Sequence, residues 1–234
     1  PLYLEALKIT KNSKGKKHLN YVASLNNLAL LYESMGEYQK ALPLFIEAVE
    51  NTEDSKGKKH SNYATIINNL GSLYKSMGEY QKALPLYLEA LENTENTLGK
   101  EHSYYGVRLN NLAGLYSSMG KYKKALTLYL EALENAENTL GKEHSEYGIY
   151  LNNLGNLYVS IGEYQKALPY FIESLENTEN ALGKEHPNYV SSLSNLAGLY
   201  QNMGDYQNAL PLYLNVLKNS ENILGKAHPY YGNC

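Results

Sequence analysis

Residues 61–102 read SNYATIINNLGSLYKSMGEYQKALPLYLEALENTENTLGKEH, and this stretch decides the fold. The block Ala-Leu-Pro-Leu-Tyr begins within it at Ala83 and recurs, with small changes, at intervals of 42 residues. Its other copies begin at Ala41, Ala125, Ala167 and Ala209. Most of the 234 residues therefore belong to one repeated unit. A period of this size is typical of small structural units that stack in a row.

Each unit is predicted to contain two helices. In residues 61–102 the first apolar positions are three or four residues apart, which is the period of a helix and not of a strand. They are Tyr63, Ile67, Leu70 and Tyr74. We predict this first helix over about 61–77, ended by Gly78, and a second helix over about 79–97, ended by Gly99, because glycine is favoured just after a helix.

Serine and proline predict how these helices begin and bend. Three first helices are predicted to start at a serine N-cap, a residue type favoured there: Ser61, Ser103 and Ser145. Pro187 and Pro229 replace serine in this column and also suit a helix start. Pro85 falls inside the predicted second helix, where it lacks an N–H and crowds the preceding turn. We expect a kink or a loosened first turn there, with the helix continuing because the apolar period continues.

The two helices of one unit would leave apolar side chains in water, whereas stacked units cover one another. The chain is therefore predicted to be all-α, an α-solenoid of stacked antiparallel helix pairs. We expect a single array over 1–234 with five complete repeats, at 19–60, 61–102, 103–144, 145–186 and 187–228. Residues 1–18 are expected to be the second helix and linker of a truncated repeat, and residues 229–234 the start of another.

This pattern resembles the tetratricopeptide repeat. That family has large apolar, small and aromatic residues at fixed positions of two helices. The matching residues here are Ile67, Leu70, Gly71, Tyr74, Gly78, Tyr80, Ala83, Tyr87 and Ala90. The 42-residue period, with LNNLA at 25–29 and LGKEHP at 182–187, is similar to the kinesin light chain type of this repeat. The resemblance implies a right-handed superhelix whose first helices line a concave groove for a peptide or a partner's helical segment.

On each first helix, one stripe of residues lies beside the core positions. Helix geometry predicts that this stripe faces the groove. This stripe is small, polar and nearly uncharged. The predicted peptide-binding residues are Asn26, Asn68, Ser72, Lys75, Asn110, Gly114, Ser117, Asn152, Asn156 and Ser194. Lys75 is the clear cation among them, and Arg108 is a second candidate for contact with an acidic partner.

Two asparagine columns run along the first helices. The first is expected to contact a ligand, because an amide can both donate to and accept from a peptide backbone; it contains Asn26, Asn68, Asn110 and Asn152. The second is expected to hold adjacent helices together; it contains Asn27, Asn69, Asn111, Asn153 and Asn195. The first column could also tie helices together, so this alternative stays open.

The six histidines are spread one per repeat and form a single column: His18, His60, His102, His144, His186 and His228. A catalytic or metal site needs its groups to converge on one point, so we interpret these histidines as structural linker residues. Cys234 is the only cysteine, which excludes a disulfide within the chain and a Cys-based metal site. We expect no cofactor, no metal, no small-molecule substrate and no enzymatic activity.

Lys and Arg number 21 and Asp and Glu 24, giving a net charge of −3. This balance does not favour nucleic acid or an anionic membrane surface as a partner. No stretch of the sequence reaches the roughly 20 apolar residues of a membrane helix. We therefore expect a cytoplasmic scaffold for a protein or peptide partner, similar to the cargo- or adaptor-binding arrays of kinesin light chains. The alternative is a self-association or regulatory sensor array of a larger signalling NTPase.

Overall fold

The computed structural model describes residues 19–56 and 61–224, which form ten α-helices and no strand. The first helices of the repeats are α1 (Leu19–Ser34), α3 (Ser61–Ser76), α5 (Ser103–Ser118), α7 (Ser145–Ile161) and α9 (Pro187–Asn202). The second helices are α2 (Tyr38–Lys56), α4 (Tyr80–Leu98), α6 (Tyr122–Leu140), α8 (Tyr164–Leu182) and α10 (Tyr206–Leu224). The all-α prediction is confirmed over these ranges. The truncated repeats expected at 1–18 and 229–234 lie outside the described residues.

The chain divides into two compact units, of which one ends at Met119 and the other begins at Gly120. In the first unit α1 to α5 pack in chain order, each helix against the next, and α6 to α10 do the same in the second unit. A fold in which each element contacts only its near neighbours along the chain is a solenoid. The predicted solenoid architecture is thus present within each unit.

The first helices lie closer together than the second helices do. Within the units, α1 contacts α3, α3 contacts α5 and α7 contacts α9. The described second helices of successive repeats in one unit have no Cα atoms within 8 Å of each other. A stack that is narrower on one side curves toward that side, so the first helices form the concave face of each unit and the second helices form the outer face.

The two helices of a repeat are joined by an aromatic side chain that packs on a small residue. Tyr87 on α4 and Phe171 on α8 are buried. A Cβ atom added at Gly71 would lie 3.3 Å from the Tyr87 ring, and one added at Gly155 would lie 2.7 Å from the Phe171 ring. The rings therefore contact the first helix almost at its backbone. Each fully buried side chain of this kind stabilises the fold by about 1.5–3 kcal/mol.

The predicted helix ends are confirmed to within one residue for α3 and α4. Gly78 and Gly99 follow these helices with φ values of +76° and +85°, a region that favours glycine because it has no Cβ. Pro85 lies inside α4, and the helix runs through it as predicted. Pro85 is exposed, so water can solvate the carbonyl that lacks its N–H partner. The kink stays a prediction.

Histidine caps three of the described first helices, α5, α7 and α9, and in α5 and α7 it does so in place of the serine that the sequence predicted. The Nδ1 atom of each capping residue accepts a hydrogen bond from the backbone N–H two residues later, at 3.1–3.2 Å; the three are His102, His144 and His186. Ser103 and Ser145 are instead the first residues of α5 and α7. The structural interpretation of these three histidines is confirmed. The other three histidines and the Ser61 side chain lie outside the described residues.

Candidate binding groove

The predicted groove residues lie on the first helices of both units, which form the concave faces. The first unit carries Asn26, Asn68, Ser72, Lys75, Asn110, Gly114 and Ser117, and the second carries Asn152, Asn156 and Ser194. Most of these residues are half-buried, as expected for the wall of a groove. The two extremes are Asn156, which is exposed, and Asn68, of which only 3% is exposed.

The two asparagine columns are hydrogen-bonded to each other from one repeat to the next. The Nδ2 atom of the second-column residue donates to the Oδ1 atom of the first-column residue one repeat earlier. The observed bonds are Asn69 to Asn26 at 2.9 Å, Asn111 to Asn68 at 3.2 Å, and Asn195 to Asn152 at 3.1 Å. The second column therefore holds neighbouring first helices together, as predicted. The first column takes part in the same bond through its oxygen.

In two residues of the first column, the amide nitrogen does not form a corresponding bond to a neighbouring repeat. Within the described part of the chain, the Nδ2 atoms of Asn68 and Asn152 make no hydrogen bond. Neither nitrogen is sealed from solvent. The bond to the oxygen orients each amide and leaves its two N–H donors without a partner among the described residues. Each oxygen already accepts one bond, and contact between these amides and a ligand stays a prediction.

Glu33 occupies the groove of the first unit, although its role was not predicted from the sequence. Its Oε1 atom accepts hydrogen bonds from Ser72 Oγ at 3.0 Å and Ser76 Oγ at 3.3 Å. Burial raises the pKa of the Glu33 carboxyl above its ordinary value, and the two serine hydrogen bonds oppose this. Burial also lowers the pKa of the Lys75 amine. Water is therefore partly excluded from this part of the groove, and Ser72 already has a partner there.

Arg108 does not present its charge to the groove, which corrects its candidacy for contact with an acidic partner. Only 4% of the residue is exposed. Its Nη2 atom donates to Thr65 Oγ1 at 2.8 Å, and its guanidinium lies over the Tyr104 ring, 5.8 Å from the centroid. Arg108 thus links α5 to α3. The same repeat column holds Ile66, a buried aliphatic residue. An aliphatic residue in this column is the sequence feature that could have predicted a buried Arg108.

The groove of the second unit is formed by α7 and α9 and is polar as well. Tyr213 Oη, from α10, donates to Gln201 Oε1 on α9 at 2.7 Å. Over residues 19–56 and 61–224, no three His, Cys, Asp or Glu side chains are grouped so that they could hold a metal ion. In the same ranges, every helix falls short of the length and apolarity needed to cross a membrane.

Comparison with protein families gives a match to the tetratricopeptide repeat at 1–54, 31–96, 62–138, 107–180 and 148–213. Comparison with curated proteins finds no match.

The solved structures that share this fold include three examples. BtubC (BKLC) from P. vanneervenii is 24% identical over 97% of this chain and 89% of its own, with a TM-score of 0.74. A kinesin light chain candidate from Podosopora anserina with nearly identical TPR-like repeats is 24% identical over 87% of this chain and 96% of its own, with a TM-score of 0.68. A Rap protein complexed with competence and sporulation factor is 17% identical over 96% of this chain and 65% of its own, with a TM-score of 0.76.

Proposed function

Because the chain belongs to the tetratricopeptide repeat family, we propose that it is a non-catalytic interaction scaffold. Its first helices hold a peptide or a helical segment of a partner protein on the concave face of a unit. The contacts come from the groove residues predicted above, and Asn68 and Asn152 act mainly through their nitrogens, because their oxygens already accept a bond from the next repeat.

The single observation that carries this proposal is the pair of amides with oriented and unused donors. The oxygen atoms of Asn68 and Asn152 are held by Asn111 and Asn195 of the next repeat. The fixed N–H groups suit the carbonyl oxygens of a peptide backbone, which every sequence offers. The carbonyl oxygens of a ligand would therefore meet donors that are already ordered, so less conformational entropy is lost on binding.

The small residues beside these amides support a close approach of a partner backbone. Gly114 follows Asn110 by one helical turn and has no side chain, and Ser72 follows Asn68 in the same way. Further short polar side chains in the predicted groove come from Ser117, Asn156 and Ser194. Because only Glu33 and Lys75 bring charge to these positions, binding should depend weakly on salt.

We further propose that the partner is a cargo or adaptor protein of the kind that kinesin light chains bind. The fold similarity to the kinesin light chain candidate supports this choice, and the Rap protein complexed with competence and sporulation factor supports a peptide-sized ligand. A chain that only associates with itself is the competing possibility, and the experiment below separates the two.

The test uses peptides selected on the chain itself. Random 12-residue peptides displayed on phage are selected on the wild-type chain, and the selected peptides are titrated by fluorescence anisotropy at two salt concentrations. We expect Asn68→Ala to weaken binding by about 0.5–1.5 kcal/mol for each hydrogen bond lost, which is about 2- to 12-fold. The affinity should change little between the two salt concentrations.

The matched control is Asn111→Ala. Both variants break the same bond between Asn111 and Asn68, but only Asn68→Ala removes the donors that face the ligand. Equal weakening by the two variants would show that the amide acts through stability alone. If no peptide is selected and the wild-type chain sediments as an oligomer, self-association replaces the proposal.

A further inference from the structure

The outer face of the second helices carries an exposed aliphatic residue in every repeat. These residues are Ile46, Leu88, Leu130, Ile172 and Leu214, and their exposed fractions run from 38% to 58%. Each follows directly after the aromatic residue of its helix, and three of those, Phe45, Tyr87 and Phe171, are at most 2% exposed. Scattered surface leucines are ordinary, whereas one at the same position of every repeat forms a regular surface.

The residues one helical turn away on either side complete a pattern. One turn earlier stands a further leucine, which is half-buried in four of the five helices: Leu42, Leu84, Leu126, Leu168 and Leu210. One turn later stands an exposed glutamate in four helices: Glu50, Glu92, Glu134 and Glu176. Residues four apart lie on the same side of a helix. The outer face of each of these four helices therefore presents two aliphatic side chains followed by a carboxylate.

This glutamate column differs from its two neighbours because its members have no partner within the described residues. In the column three residues earlier, Glu89 accepts a hydrogen bond from Tyr63 Oη at 2.9 Å. In the column three residues later, Glu95 pairs with Lys100 at 3.4 Å, and Glu137 and Glu179 pair with linker lysines in the same way. Among residues 19–56 and 61–224, no hydrogen bond or ion pair is made by the side chains of Glu50, Glu92, Glu134 and Glu176.

We propose that this outer face, defined by the exposed aliphatic column and the unpaired glutamate column, binds a cationic amphipathic helix of a second protein. The helix packs its aliphatic residues on positions such as Leu84 and Leu88. Its Lys or Arg side chains lie one turn further along and pair with Glu92. Repetition in α2, α4, α6 and α8 offers the same site several times, which raises the apparent affinity of a long or multivalent partner.

Charge selects this occupant over the other candidates. A second copy would bring its own glutamate column against this one, and like charges oppose such a contact. An anionic membrane surface would be repelled by the same carboxylates. A partner with aliphatic and basic residues at one-turn spacing satisfies both columns. This surface is separate from the groove of the first helices, so the inference stands apart from the proposed function.

The probe is a synthetic 18-residue helix with leucines at i and i+4 and lysines one turn further. It is titrated against the full chain by fluorescence anisotropy, and a peptide of the same composition in scrambled order is the peptide control. We expect the wild-type chain to prefer the patterned helix. In a Glu50→Gln background, which is used for every glutamate variant in this comparison and removes the site on α2, the triple variant Glu92→Gln, Glu134→Gln, Glu176→Gln should bind it about threefold more weakly, because each exposed charge pair contributes modestly.

The protein control removes the same number of charges from the same helices. The triple variant Glu95→Gln, Glu137→Gln, Glu179→Gln takes away carboxylates that already have lysine partners, and it should lose less than twofold. Equal losses in the two triple variants would reduce the effect to net charge and overturn the proposal. The proposal is also overturned if the scrambled peptide binds equally well. The variant that carries Ile46→Asn, Leu88→Asn, Leu130→Asn and Ile172→Asn alters every copy of the site and should bind the patterned helix about tenfold more weakly with helicity unchanged. Unchanged binding by this variant would contradict the proposal.

Discussion

A Cβ atom added at Gly155 would lie 2.7 Å from Cε1 and 2.8 Å from Cδ1 of Phe171. These distances are about 0.8 Å short of an ordinary carbon–carbon contact. Phe171 is fully buried and packs against Leu196 and Leu199 of the next repeat. Since the ring has no open space to move into, Gly155→Ala forces it against a packed neighbour. Overpacking of this kind costs about 1–3 kcal/mol.

The same substitution also removes a helix-breaking glycine, and this gain must be subtracted. Alanine inside a helix is favoured over glycine by about 0.5–1 kcal/mol. The net effect of Gly155→Ala is therefore a destabilisation of about 1 kcal/mol. At Gly71 the added atom would lie 3.3 Å from the Tyr87 ring, so the repulsion is small. Gly71→Ala is expected to be neutral or to stabilise the fold by up to about 1 kcal/mol.

Urea unfolding followed by circular dichroism measures both free energies of unfolding in the same chain. The two variants make one chemical change in one repeat column, so each is the control for the other. The expected result is opposite signs, or at least a clear gap with Gly155→Ala the less stable. Gly155→Ala as stable as Gly71→Ala would refute the reasoning, because the ring contact would then have no energetic consequence.

Two further predictions concern single side chains. His102→Ala removes the acceptor for the Tyr104 N–H and should lower the free energy of unfolding in urea by about 0.5–2 kcal/mol. The variant should bind peptides as tightly as the wild type. A loss of binding with intact helicity would contradict a purely structural role of His102. Leu112→Ala should cost about 2–5 kcal/mol, because this side chain is 2% exposed and leaves a cavity. Hydrogen exchange should then accelerate mainly in α4 and α5, whereas equal acceleration from one end to the other would contradict a solenoid.

The fold could be predicted because each structural position is sampled in several repeats. A leucine or glycine that occurs by chance in one repeat is absent from the equivalent positions of the others. The helical period and the helix ends at Gly78 and Gly99 can therefore be identified from the positions that recur. The capping residue was missed for a physical reason. Histidine and serine are adjacent and both have acceptors, and the choice depends on the extended backbone of His102, with φ −102° and ψ 138°.

The details of the groove were beyond sequence reasoning for a related reason. Asn68 and Asn69 are chemically identical neighbours, and only their placement against the next repeat decides which gives its oxygen and which its nitrogen. The position of Glu33 between Ser72 and Ser76 is likewise a contact between repeats, which the pattern within one repeat does not contain. Arg108 could have been assigned correctly, because the other residues of its column include the buried Ile66 and Tyr150.

The bond from Asn111 to Asn68 and the bond from Asn195 to Asn152 have the same donor and the same acceptor positions. The repeats within each unit are therefore joined by a hydrogen bond of one pattern. An in-frame deletion or duplication of 42 residues would place a second-column asparagine beside a first-column asparagine again. An array with such joints can therefore gain or lose a whole repeat without loss of this bonding pattern. Ser194 interrupts the first column in the fifth repeat, so a repeat stacked after it would meet a hydroxyl in place of an amide.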